Sequence, residues 1–228
     1  MSAAGRVRSF IKSMFPGAAA AYREALQAWR RPSLETVFSE IYRRNIWGDS
    51  ESVSGRGSSL ARASTMMSHL PPLLEELRAG TLLDAPCGDF NWMRFTKLGA
   101  VKYIGADVVP ELIARNRRLY GDEGRKFVVL DLTKDRLPRA DVILCRDCLI
   151  HLSFQRIDDA IANFKKSGAR HLMCTTHTTV RENTDCPDGG WRNVNLHLPP
   201  FNFPPALKLI VEDTELGKCL GVWRLEEL

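Results

Sequence analysis

Four aspartates fall through the middle of this 228-residue chain, and each closes or nearly closes a short apolar run. They are Asp84 in "TLLDAPCGDFNWM", Asp107 in "VKYIGAD", Asp131 in "KFVVLDL" and Asp147 in "ADVILCRD". One such aspartate alone reads as a turn or cap residue. Four in succession place carboxylates along one crevice, because ligands of open α/β sheets bind at the carboxyl ends of the strands. Asp107 lies 107 − 84 = 23 residues after Asp84, close to the spacing at which an acidic residue meets a ribose diol. A dinucleotide would also need a G-x-G-x-x-G turn for its pyrophosphate. Here there is only Gly88, with Asp89 beside it to repel phosphate and tolerate a cation. The turn therefore suits a ligand with a ribose and no phosphates.

His151 is the natural candidate for a general base. It follows Asp147 by four residues, which on the first turn of a helix after the fourth run sets both on one side. An imidazole also titrates near neutral pH. The plainer alternative is a helix-start histidine satisfied by a carbonyl. His177, at the end of the fifth run, is a second candidate base. Asp147, His151 and His177 together would suit a transition metal better than Mg²⁺, but a divalent cation is not expected. Cys145 and Cys148 form one CxxC without a second pair at zinc spacing, so no structural zinc is expected either.

The elements that must position these groups follow from periodicity. Strand-like runs recur at 81–85, 101–107, 126–132, 140–147 and 170–176. Helical segments lie between them, clearest in "PELIARNRRLYG", with Pro110 at its start and Gly121 past its end. A second is "SFQRIDDAIANFKKSG", with Ser153 as N-cap and Gly168 as stop. Two last runs, 206–212 and 218–225, are joined by a link short enough only for an antiparallel hairpin. The expected fold is α/β: a doubly wound, Rossmann-like, seven-stranded sheet, mostly parallel, with an antiparallel terminal hairpin.

Two irregular segments flank this core. Residues 177–205 carry prolines, paired glycines and asparagines in place of a crossover helix. Long irregular loops of this kind tend to be functional lids. Trp191, Arg192, Asn193 and Asn195 would offer an aromatic face and hydrogen-bonding groups to a sugar or another polar acceptor; alternatively, Trp191 and Phe201 staple the loop to the core. The Ser/Gly-rich segment at 47–62 is a second lid candidate. Its serines and Arg62 could meet a ligand carboxylate, or it could be a flexible linker.

The net charge of +5 resides in the first 31 residues, which hold six basic side chains against one acidic. The neutral remainder argues against nucleic acid as the partner. Residues 1–45 are expected to form a basic, helical extension. A transit peptide or weak association with an anionic surface are its alternative readings. No run reaches the length of a membrane span, and the expected location is cytoplasmic.

Taken in order, "LLDAPCGDF", "YIGAD", "FVVLDL" and "DVILCRDCLIHL", with the terminal hairpin, resemble the class I S-adenosylmethionine-dependent methyltransferases over roughly residues 80–225. Pro86 and Phe90 stand where that family mostly has its first and last glycines. The segments "IWGDSESVSGRGS" and "GGWRNVNLHLPPFNFP" are similar to those of a small bacterial subgroup associated with cell-surface and polysaccharide methylation. The resemblance implies that residues 46–228 are a methyltransferase domain. In it Asp107, with Val108 beside it, holds the ribose hydroxyls, and Asp131 or the backbone of Leu132 meets the adenine amino group. Asp84 orders the loop, Ala85, Pro86, Cys87, Gly88 and Asp89 cradle the methionine moiety, and the Cys145–Arg146–Asp147 segment lines the sulfonium side. The expected reaction is O-methylation of a saccharide or other small polar acceptor, with His151 as base. The alternatives are a non-catalytic S-adenosylmethionine-binding protein and a nitrogen or carbon acceptor. A base-modifying enzyme would show [N/D]-P-P-[Y/F] where this chain has "RDCL".

Overall fold

A computed structural model describes residues 32–228. The basic tail, and every expectation placed on it, lies outside the described residues. Seven strands form one sheet: β1 (Thr81–Asp84), β2 (Lys102–Asp107), β3 (Arg125–Val129), β4 (Val142–Cys145), β5 (His171–His177), β6 (Lys208–Asp213) and β7 (Lys218–Arg224). Their order is β3-β2-β1-β4-β5-β7-β6. β7 runs antiparallel to both β5 and β6, and the remaining pairs are parallel. The expected sheet and its reversed hairpin are both present.

Alternation along the strands divides the core in two. Leu82, Val142, Leu144, Met173 and Val222 face one side, and Leu83, Ile143, Cys145, Leu172 and Trp223 face the other. The first side is covered by α2 (Leu60–Glu76) and α3 (Pro110–Tyr120). The second is covered by α4 (Phe154–Lys166) together with Val194, Leu196 and Phe203 from the long segment after β5. That segment forms no helix or strand between His177 and Lys208, so its buried apolar residues do the covering.

Local chemistry sets the helix ends. Ser33 caps α1 (Leu34–Arg43) by accepting from the Thr36 N–H at 3.1 Å. Pro110 opens α3, where its missing N–H has no intrahelical role. Ser153 holds the N-cap position of α4 as expected, but its hydroxyl is buried without a partner. Asp188 and Asp185 of the long segment accept from the Ser153 and Phe154 N–H groups instead, at 2.9 and 2.7 Å. The cap thus comes from a loop some thirty residues away and ties that loop to the helix.

Of the extension expected over residues 1–45, the structure describes residues 32–45. Helix α1 buries Leu34 and Ile41 in the body of the molecule, and Arg43 pairs with Glu111 at the start of α3. Its strongly one-sided apolar pattern is therefore spent on the core, not left for solvent. Among the described residues, no helix is long and apolar enough to cross a membrane.

Candidate functional site

All the strands except β7 point their carboxyl ends the same way, so Asp84, Asp107, His177 and the end of β6 share one edge with Arg146 and Asp147, which follow β4. The connection out of β1 heads toward β2 and that out of β4 toward β5, on opposite sides, and a crevice opens between them. A cleft of about 880 Å³, open solvent at its mouth included, lies there.

Its floor is the loop after β1. Gly88 has φ +53°, and a Cβ on it would stand 2.3 Å from Ser54 Oγ, so only glycine admits this approach. Phe90 also takes a left-handed conformation, with φ +60°. That is a genuine outlier for a bulky residue, and it is held by packing against the rings of Tyr103, Tyr120 and Phe127. The loop keeps its glycine-type path with a phenylalanine in place because an aromatic cluster pins it. The Ala85–Pro86 peptide is cis.

Asp107 lines the cleft and is buried. It accepts from the Gly88 and Val109 N–H groups, each at 3.1 Å. Burial raises its pKa to about 6 against those backbone donors. Val108, Leu132 and Asp131 continue the wall. The Asp131 carboxylate accepts from the Thr133 backbone at 3.0 Å and hydroxyl at 2.6 Å, and Lys134 stands 3.2 Å away. Phe38 and Tyr42 of α1 close the same cleft, which sequence reasoning missed because it assigned that helix to the extension.

Four of the expected cofactor residues do not line the cleft. Asp84 lies behind the loop and accepts from the buried Tyr103 hydroxyl at 2.6 Å; burial pushes its pKa up to about 7. The Cys87 thiol packs among the apolar residues under α2 and α3. Asp89 faces the 47–59 segment, accepting from Ser52 Oγ at 3.0 Å, Val53 N–H at 3.1 Å and Ser54 Oγ at 3.3 Å. Its backbone N–H donates to Ser54 Oγ at 2.8 Å. That carboxylate is an anchor for the covering segment. Arg62 pairs with Asp213 at 2.9 Å and lines a second cavity, not the cleft.

This second cavity adjoins the first, and Trp47, Ser54, Asp147 and His151 line both. The expected helical relation of Asp147 to His151 is corrected. Asp147 has φ +52° and His151 ends a short 3₁₀ turn, Leu149–His151, ahead of α4. The Asp147 carboxylate is taken by Lys218 Nζ at 2.6 Å and Arg146 Nη1 at 3.3 Å. Burial alone would raise its pKa, but Arg146 and Lys218 bring it down to about 2.

His151 Nδ1 lies 2.7 Å from the Gly190 carbonyl. A carbonyl only accepts, so Nδ1 carries the proton and Nε2 keeps its lone pair. The ring lies against Trp47 with centroids 4.8 Å apart. Burial lowers the His151 pKa, against the raising effect of the Gly190 contact and Asp147. His177 is buried at the edge of the second cavity, with Nδ1 beside the Val194 backbone, and burial lowers its pKa as well. Among the described residues, no group of three His, Cys, Asp or Glu side chains is gathered to hold a metal ion.

Of the four expected substrate residues, Trp191 and Asn193 line the second cavity and the other two do not. Arg192 is buried and donates to the Leu149 and Leu152 carbonyls at 2.6 and 2.5 Å. The Asn195 amide donates to the Val180 carbonyl at 3.0 Å. Both hold the long segment in shape. Glu212 and Lys218, from the terminal hairpin, line the cavity and were missed. The adjacent acids Glu212 and Asp213 at a strand end were the one available signal.

No known protein family matches the chain by sequence, and no curated protein does. Solved structures match its fold. Magnesium protoporphyrin IX methyltransferase from Synechocystis PCC 6803, solved with bound SAM, aligns with a TM-score of 0.57 at 13% identity, over 86% of this chain and 98% of that one. The N-methyltransferase NodS from Bradyrhizobium japonicum, in complex with S-adenosylhomocysteine, gives 0.57 at 17% identity, over 80% and 97%. Human N-acetylserotonin methyltransferase, in complex with SAM, gives 0.55 at 12% identity, over 94% and 68%. The chain has the class I methyltransferase fold.

Proposed function

We propose that this protein is an S-adenosylmethionine-dependent methyltransferase that methylates a hydroxyl of a saccharide or another small polar acceptor, with His151 as general base. The observation that carries this reading is His151 itself. It stands in the wall common to two adjoining cavities, with Nδ1 tied to Gly190 and Nε2 left to accept a proton.

The residues of the cleft fit such a cofactor. Asp107 is a buried carboxylate whose close donors among the described residues are backbone N–H groups, so it would accept from a ribose diol. Val108 and Leu132 supply apolar faces for a base, and Gly88 lines the floor beside them. Bound S-adenosylmethionine supplies an electrophilic methyl group. The chain's own contribution is to align, to exclude water and to move one proton. The segment anchored on Asp89 covers the cleft, and His151 Nε2 takes the acceptor's hydroxyl proton. The neighbours bound to SAM or S-adenosylhomocysteine support the cofactor by likeness of fold.

Titration calorimetry with S-adenosylhomocysteine tests the cofactor site. Asp107→Ala should weaken binding at least about tenfold, since hydrogen bonds to a charged group contribute about 1.5–3 kcal/mol. A folded variant with unchanged affinity would remove Asp107 from the site. An S-adenosylhomocysteine release assay across hydroxyl acceptors then separates a transferase from a protein that only binds.

A further inference from the structure

Glu212 is placed by a fault in the sheet. Val211 pairs with Cys219 and Asp213 with Lys218, so two steps along β6 answer one along β7, and Glu212 is the extra residue. Such bulges re-aim a side chain. This one puts the Glu212 side chain, 1% exposed, at the edge of the second cavity beside Arg146 and Lys218. Its Oε2 accepts from Arg146 Nε at 2.9 Å. Its Oε1 is buried and has no hydrogen-bond partner among the described residues. Asn193, across from the hairpin on the long segment, lines the same cavity, and its Oδ1 is likewise buried and without a partner.

Buried acceptors left empty are costly, and native proteins satisfy nearly all of them. Two in one cavity call for a ligand that brings donors. The charge around them says which kind. The cavity is lined by Arg56, Arg62 and Lys218 against Asp147, Glu212 and Asp213. Lys218 is paired with Asp147 and Arg62 with Asp213, while Glu212 is neutralised by Arg146. An ammonium would meet cations already seated on the carboxylates, and an anion would meet carboxylates already holding Lys218 and Arg62; Arg56 has no ion pair among the described residues, but it is exposed and its charge is screened by solvent. Trp191, 62% exposed, offers a flat apolar face at the rim.

We infer that the second cavity selects an uncharged polyhydroxylated acceptor, and that Glu212 Oε1 and Asn193 Oδ1 accept from hydroxyls other than the one that is methylated. This rests on the transferase reading and adds to it two specificity residues and a neutral substrate class.

The test is saturation-transfer NMR in the presence of S-adenosylhomocysteine, with methyl α-D-glucoside, methyl α-D-mannoside and methyl α-L-rhamnoside as neutral probes. Glucosamine and glucuronate serve as cationic and anionic counterparts. A neutral glycoside should bind at least about tenfold more tightly than either charged sugar. Asn193→Ala, which leaves the buried ion pairs alone, should weaken that glycoside about fivefold, the usual value of one hydrogen bond, with S-adenosylhomocysteine affinity unchanged. Glu212→Gln should weaken it too, in protein shown folded by circular dichroism. Tighter binding of a charged sugar, no binding of any glycoside, or an unchanged Asn193→Ala affinity would overturn the inference. If wild-type protein failed to bind S-adenosylhomocysteine, the transferase reading would fall first and this one with it.

Discussion

A histidine with one ring nitrogen fastened to a carbonyl is a base whose tautomer is already chosen. The Gly190 carbonyl holds the Nδ1 proton of His151 at 2.7 Å, and burial lowers the pKa, so the neutral form with Nε2 available prevails at neutral pH. His151→Ala should reduce kcat by about 10²–10⁴, the usual contribution of general base catalysis, while S-adenosylhomocysteine affinity stays nearly unchanged. The wild-type rate should rise with pH through a midpoint below the ordinary imidazole value and then level off. Steady-state kinetics from pH 5 to 9 check both. A variant with wild-type kcat would exclude His151 as the base. On the proposed reading Asp107 adds a second effect, since burial raises its pKa to about 6 and only its ionised form would accept from both ribose hydroxyls. The pH dependence of binding should therefore follow Asp107, and that of kcat should follow His151.

At the level of elements, Asp89 makes the largest set of contacts that anchor the covering segment before α2. Asp89 accepts from Ser52 and Ser54 hydroxyls and from the Val53 N–H. Glu51 supports the same segment, accepting from the Leu60 N–H and the Asn91 amide, each at 2.8 Å. Removing Asp89 leaves several buried donors without an acceptor. Asp89→Ala should therefore speed S-adenosylhomocysteine dissociation about tenfold or more and make residues 47–59 cleavable by protease, with the rest of the fold resistant. Stopped-flow displacement and limited proteolysis measure these outcomes. An unaltered dissociation rate would mean that the segment does not cover the bound cofactor.

For the whole molecule, the buried carboxylates make stability depend on pH in two opposite senses. Asp84 and Asp107 have folded pKa values raised from the usual 3.8 to about 7 and about 6. Between the ordinary value and those raised values the folded state holds protons that the unfolded state has lost. Stability from these groups therefore falls as pH rises from about 4 to about 7, by at most about 1.4 kcal/mol per unit for each. Asp147, brought down to about 2, stabilises above its ordinary value and loses that contribution as pH falls from about 4 toward 2. Asp84→Asn keeps an oxygen for the Tyr103 hydroxyl and removes the buried charge. Without ligand it should melt several degrees higher than wild type at pH 8 and nearly equal to it at pH 4, by differential scanning calorimetry. A lower melting temperature at pH 8 would show that the charged form of Asp84 is the stabilising one.

Periodicity and turn chemistry determined the strands, α3, α4 and the reversed hairpin. Alternating apolar residues, Pro110 and the short link after β6 act within a few residues of themselves and need no distant partner. The same local logic placed Asp107 and Gly88 at the strand ends that line the cleft, but not the 3₁₀ turn that carries His151. Tertiary structure decided what depends on groups far apart in the chain. Asp89 looked like a cofactor residue because it adjoins Gly88, yet the 47–59 segment claims its carboxylate. Arg192 and Asn195 looked like substrate contacts, yet buried carbonyls require their donors. Helix α1 looked like a tail, yet its apolar side completes the cleft. Glu212 reaches the second cavity only because β6 carries one residue more than β7 can pair, and a register fault between two strands becomes visible once they are laid side by side.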